Sequence, residues 1–180
     1  MIAYIDLIYF RLGKVVIPKE LALYDEIGRQ EVLIFKPPFA YTHLPSDRAT
    51  IVRTSEKRSG LAWSDGYLNI LTFSEELREL VRPYQNIMVR GEAKYHFLRQ
   101  FIEDRVLVEN TDDFKTCKHP KIEACDAHRR GNYYNCALKN VKVLKHHMDN
   151  CCKMILNPQE EEIDAELDLL IDDEGEDVTY

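Results

Sequence analysis

The sequence predicts an α/β fold built on a mixed sheet, and three observations carry that prediction. Runs of apolar, β-branched and aromatic residues separated by glycine turns open the chain and spell an antiparallel three-strand meander. Segments with helical spacing of apolar residues then alternate with short apolar runs, the order of a sheet whose later strands are joined through helices. A final helical stripe precedes a change of composition at Asn157 and Pro158.

The elements follow in order. Residues 2–10 form the first strand, broken only by Asp6, and Gly13 marks the turn. Residues 14–25 (KVVIPKELALYD) make the second, where Pro18 signals a bulge or an edge. A turn at Gly28 leads to the third, EVLIFK, which Pro37 and Pro38 end. A helix is expected near 46–58 with Ser46 as N-cap, then the segment LAWSDGYL. The next helix, 72–81, has a Thr/Ser cap, Glu75 and Glu76 in its first turn, and Pro83 behind it. A strand at 87–89 closes on Arg90 and Gly91, and 92–102 carries apolar residues at 95, 97, 98, 101 and 102, a helical stripe. A brief strand at 106–108, a polar loop at 110–124 and a helix at 133–148 complete the body. This order resembles that of the ribonuclease H-like architecture, a mixed sheet with helices on both sides. The chain divides into a body at 1–156 and an acidic tail at 157–180 expected to be disordered.

Composition narrows the function classes. At 45% hydrophobic residues the chain can build a core, which excludes global disorder. No apolar run approaches the roughly 18–20 residues of a membrane span, so no membrane partner is expected. The opening MIAYIDLIYFRL lacks a basic n-region, and five cysteines lie near histidines; both point to an intracellular, reducing compartment. The net charge of −7 is unevenly spread: residues 160–180 hold eleven acids and no base, leaving +4 on 1–159. Such an acidic block, interrupted by Ile163, Leu167, Leu169, Leu170 and Ile171, suits a solubilising tail or a segment that folds on a protein partner.

The strongest chemical signal is C-x2-H-x7-C at Cys125, His128 and Cys136. Zinc takes about four tetrahedral N, S or O ligands, and a pair separated by two residues can hold one ion from a single turn. The fourth ligand is open at this point: Cys117, His119, Glu92, His146, His147, Cys151 and Cys152 are candidates. The stretch IMVRGEAKYHFL, followed by C-x2-H and then CALKNVKVL, resembles the Maelstrom domain. That domain is ribonuclease H-like, related to the DEDDh exonucleases, and occurs in a piRNA-pathway protein of animal germ cells. Its hallmark is a Glu-Cys-His-Cys zinc site. The resemblance spans about residues 1–150 and implies Glu92, Cys125, His128 and Cys136 as ligands of one structural zinc per chain, with Cys117 as the alternative fourth. The HMG box that accompanies the domain elsewhere is absent, which implies a relative carrying this domain alone.

The resemblance also tests for nuclease chemistry. DEDDh enzymes hold two divalent metals with carboxylates that begin with D-x-E on the first strand. Here Asp6 is followed by Leu7 and Ile8, and the last catalytic aspartate position is Cys136, with Gly131 where the general-base histidine would stand. Asp6 is the single catalytic candidate, with Asp65, Glu75 or Glu76 as carboxylates that would have to join it. The expectation is a catalytically inactive pseudo-nuclease. An active single-strand-specific ribonuclease is the alternative, because some Maelstrom domains cleave RNA without those carboxylates.

For RNA, lysine and arginine would meet phosphates and aromatic rings would stack on unpaired bases. Lys115, Lys118, Lys121, Arg129 and Arg130 beside Tyr133 and Tyr134 form the preferred face, and Arg48, Arg53, Lys57 and Arg58 a second cluster. A body charge of +4 predicts weak, non-specific binding of single-stranded RNA. The competing class is an adaptor that joins silencing-pathway proteins through its tail or through Tyr4, Tyr9, Phe10, Trp63 and Tyr67. Through the resemblance, RNA-mediated silencing in cytoplasmic or perinuclear granules, or in the nucleus, is the expected setting.

Overall fold

A computed structural model describes residues 1–111, 122, 125, 126, 128 and 136–150, and the backbone of 151–156. The opening hairpin joins β1 (Ile2–Leu12) to β2 (Val15–Asp25), and β3 (Gln30–Lys36) continues the antiparallel meander. Gly13, at φ +67, takes the left-handed turn position that a side chain would disfavour. Then follow α1 (Ser46–Ser59), the two-residue β4 (Leu68–Asn69), α2 (Phe73–Val81), β5 (Asn86–Val89), α3 (Glu92–Arg99), β6 (Leu107–Asn110) and α4 (Ala137–Leu156). The six strands form one mixed sheet in the order β4-β3-β2-β1-β5-β6. β4, β5 and β6 each run parallel to their neighbours.

Alternation along β1 divides the core. Ala3, Ile5 and Leu7 face one side with Leu21 and Leu23 of β2, and α2 and α3 cover them with Leu77, Leu80, Val81 and Leu98. A ring cluster of Phe35, Phe73, Phe97 and Phe101 fills the same layer, with centroids 5.2–5.7 Å apart. Tyr4, Ile8 and Ala22 face the other side under Ala137, Leu138, Val141 and Leu144 of α4. Because both faces are covered, the central strands are apolar nearly throughout. At the far end of the α4 face, Phe10, Leu12 and Ile17 pack on Val52 of α1 and on Trp63, whose ring stacks on Phe10 at 5.7 Å. Among the described residues, no helix is long and apolar enough to cross a membrane.

Several local expectations change. α1 begins at Ser46 with Pro45, not Ser46, at the N-cap, and no side chain caps it; proline's fixed φ (−55) delivers the chain into the helix instead. Thr72 occupies the α2 N-cap, but its hydroxyl donates to the Asn69 carbonyl of the preceding 3-10 turn at 2.8 Å. α4 runs to Leu156, beyond the expected 148, and α3 stops at Arg99, short of 102. Pro18 marks a bulge rather than an edge, because β2 lies between β1 and β3. The register passes from Ile8↔Glu20 to Tyr9↔Pro18, so Lys19 has no partner in the ladder. Tyr4, Phe10 and Trp63 are core residues, and of the proposed interface aromatics Tyr67 is the one substantially exposed.

Candidate metal centre

The bulge fixes what β2 presents beneath α4. Glu20 pairs with Ile8 and shares its face with Ala22, so a carboxylate enters the apolar layer beneath the helix. Its side chain is fully buried. A bare buried charge costs several kcal/mol, so partners are obligatory. The neighbouring extra residue, Lys19, reaches toward the Phe10–Trp63 cluster, its ammonium 5.9 Å from the Phe10 ring centroid. Its ammonium, also fully buried, donates to the carbonyls of Phe35 (3.2 Å), Trp63 (2.8 Å) and Asp65. Burial lowers that lysine to about 8.

Glu20 finds its partners in two segments, the turn at Cys125 and His128 and the start of α4. The α4 backbone N–H of Ala137 donates to Oε2 at 3.1 Å, and His128 Nε2 lies 3.2 and 3.1 Å from the two carboxylate oxygens. The Sγ atoms of Cys125 and Cys136 lie 3.6 and 3.8 Å from Oε1. Cys136 stands immediately before α4 and acts as its cap. Its sulfur accepts from Lys139 N at 3.5 Å and its carbonyl from Asn140 N at 3.0 Å. A thiolate there also meets the positive end of the helix. Cys125 and His128 sit in one turn, closed by His128 N donating to the Cys125 carbonyl at 3.2 Å.

The donor atoms of Glu20, Cys125, His128 and Cys136 all lie within 4.8 Å of one another. A tetrahedral ion with ligand bonds of about 2.0–2.3 Å separates its donors by about 3.3–3.8 Å. The contacts of 3.1, 3.6 and 3.8 Å around Glu20 bracket that range. The group is therefore compatible with a metal ion. His128 is also oriented as a ligand should be. Its Nδ1 hydrogen-bonds the Ser59 carbonyl at the end of α1, which fixes the ring and leaves Nε2 aimed at the other donors.

Without metal, a proton holds that position. Burial alone would push the His128 imidazolium down, but hydrogen bonds to Cys136 and Glu20 win and hold it up to about 10. The Cys136 thiol is lowered to about 4, first by a hydrogen bond from Cys125, against burial, and then by one from His128. The result is a buried carboxylate–imidazolium–thiolate network. A cation can take the place of the imidazolium proton.

Glu20, rather than Glu92, is the carboxylate brought to Cys125, His128 and Cys136. Glu92 opens α3, is 78% exposed, and pairs with His96 at 3.5 Å, so it complements the helix dipole from solvent. His146 bonds Asn150, and neither it nor the buried His147 belongs to the group. Cys117, the cationic face at Lys115, Lys118, Lys121, Arg129, Arg130, Tyr133 and Tyr134, the acidic tail, and the side chains of Cys151 and Cys152 lie outside the described residues. Asp6 is buried in a different arrangement, ion-paired with Lys94 of α3 and accepting from Asn140 Nδ2 at 2.7 Å. Burial raises its carboxyl despite those partners. Asp6 belongs to no metal-ligand group among the described residues, and the Asp65 carboxylate instead accepts from Ala62 N at 2.7 Å. Compared with models of known families, with curated proteins and with solved structures, the chain matches none.

Proposed function

We propose that this chain is a zinc-locked, catalytically inactive domain of ribonuclease H-like, Maelstrom type. In this reading one ion, held by Glu20, Cys125, His128 and Cys136, ties β2, the segment before α4 and α4 itself into one unit. The observation that carries it is the donor set: two thiols, an imidazole and a carboxylate converging at tetrahedral spacing. Sulfur donors favour zinc over magnesium, and four protein ligands leave no position for a reacting water. Such an ion contributes folding energy, not hydrolysis.

The order of the sheet supports the fold reading: a three-strand meander with two parallel strands added beside β1, and helices on both faces. Loss of two-metal chemistry is supported by Asp6, whose carboxylate is taken by an ammonium and an amide, and by Ile8 in place of an acid. Work on RNA as a weak single-strand binder or adaptor, within small-RNA silencing, follows from the motif resemblance. It assigns the contact with RNA to the lysines, arginines and tyrosines that flank Cys125 in the sequence and protein partners to the acidic tail. Elemental analysis of the purified chain and of Cys136→Ser tests the core of the proposal. One zinc per chain, lost in the variant, is the expected result. Metal-free protein whose nuclease activity rises with manganese and disappears in Asp6→Ala would replace it with an exonuclease. Loss of RNA crosslinking in the Lys118, Arg129 and Arg130 alanine variant checks the RNA assignment.

A further inference from the structure

The two sulfurs of the centre differ in access. Cys136 is completely buried beneath α4, whereas Cys125 is half-buried and lines an open groove of about 570 Å³ between β3 and α4. Gln30 and Val32 of β3, Asp126, and Leu138 and Lys142 of α4 form its walls. The groove is polar and wide enough for water-sized reagents, and it reaches one thiol of the pair. The two sulfurs lie within 4.8 Å of each other, so a disulfide of about 2.05 Å needs them to approach by about 3 Å at most. Neither cysteine is in a disulfide in this structure.

We propose that Cys125 is an oxidation site for hydrogen peroxide, and that its disulfide with Cys136 dismantles the metal centre. This rests on the metal-centre reading given above. The Cys125 sulfur attacks the peroxide, an S–O bond forms, the O–O bond breaks, and the departing oxygen leaves as water on taking a proton. The sulfur is oxidised by two electrons to sulfenic acid. The Cys136 thiolate then attacks that sulfur, the S–S bond forms, and the S–O bond breaks, releasing a second water with a second proton. Two thiolates, one hydrogen peroxide and two protons thus give one disulfide and two waters. Thiolate, not disulfide, is the metal ligand, so Glu20 and His128 alone remain to hold an ion. The same step reduces the ability of the Cys136 sulfur to accept from Lys139 N and Cys125 N, which unfastens the first turn of α4.

The experiment uses the full chain carrying Cys117→Ser, Cys151→Ser and Cys152→Ser, which leaves Cys125 and Cys136 as its only thiols. Zinc content is measured first, then zinc release to a chromogenic chelator as hydrogen peroxide is added, with peptide mapping of the product. The expected result is release of the bound zinc together with a Cys125–Cys136 cross-linked peptide, both reversed by a dithiol reductant and fresh zinc. Retention of zinc under tenfold peroxide, or release with sulfinic acids and no cross-link, overturns the proposal. Absence of zinc at the outset sinks the metal-centre reading instead, and the cross-linked peptide still decides the thiol pair. Brief alkylation of chelator-treated protein checks the order of attack: Cys125 labels at least tenfold faster than Cys136, and the reverse order would overturn the groove as the entry route.

Discussion

Replacing Glu20 by alanine tests the centre more sharply than any change to its sulfurs. In the metal-free protein the variant removes the carboxylate half of a fully buried pair with His128, leaving Cys136 as the imidazolium's partner, and takes the acceptor from the Ala137 N–H. Removing one partner of a buried ion pair costs about 3–5 kcal/mol. For a chain of this size each kcal/mol moves the melting temperature by about 2–4 °C, so Glu20→Ala should melt about 6–20 °C lower. It should also lose zinc. Glu92→Ala is the matched control: its carboxylate is 78% exposed and 3.5 Å from His96, an arrangement worth about 0–1 kcal/mol. That variant should keep one zinc per chain and melt within about 4 °C of the parent. Calorimetry with and without chelator, beside elemental analysis of the three proteins, measures both quantities. Zinc retained in Glu20→Ala and lost in Glu92→Ala would refute the assignment and restore the carboxylate expected from the motif.

Other perturbations have equally definite signs. Metal must displace the His128 proton, which is held up to about 10, and the Cys125 thiol proton that Cys136 accepts, so apparent zinc affinity should rise by at least about tenfold per pH unit between pH 6 and 8; competition with a chromophoric chelator at three pH values reads this, and a flat profile would count against these ligands. Lys19 releases its proton near pH 8 in the folded chain but near 10.5 unfolded, so the unfolded state binds more protons between those values and stability rises with pH by at most about 3 kcal/mol. Because His128 and Cys136 titrate in both proteins, the reading is the difference: from pH 7.5 to 10 the parent should gain up to about that much more urea stability than Lys19→Met. Gly66→Ala places a Cβ 2.5 Å from the Phe35 carbonyl carbon at φ +123, so it should destabilise by about 2 kcal/mol or more, visible as a lower urea midpoint at unchanged slope.

The meander was legible because its strands are local. Alternation, Gly13 and Pro18 are readable within the first twenty-five positions, and the bulge at Lys19 follows from the proline. The Cys125, His128 and Cys136 spacing was legible for the same reason, since a turn and a helix start bring them close. Glu20 was not. It is separated from Cys125 by 105 positions, and only the register of β2 under α4 joins them. One signal was available: Glu20 shares the alternation of Ala22 and Tyr24, so an acid stood on a covered face and needed a partner. Glu92 misled because an acid at a helix start satisfies the dipole whether or not a metal is near. Of the cap residues, Thr72 does stand at the α2 N-cap, though its hydroxyl bonds the preceding 3-10 turn, while Pro45 takes the place expected of Ser46 before α1.

The hydrogen bond from His128 to the Ser59 carbonyl makes the protein its own optical gauge. The chain contains one tryptophan, Trp63, four positions beyond Ser59. Its backbone N–H is held by Glu56 of α1 at 2.6 Å and its indole N–H by the Phe39 carbonyl at 2.9 Å. The end of α1 is thus clamped between the candidate centre and the sole ultraviolet fluorophore of its kind. Oxidising Cys125 and Cys136 removes the thiolate that holds His128 from the other side, and a red shift in the emission of the indole packed against Phe10 is the expected sign that the clamp has loosened. The centre can then be followed without a label, in the intact chain and in real time.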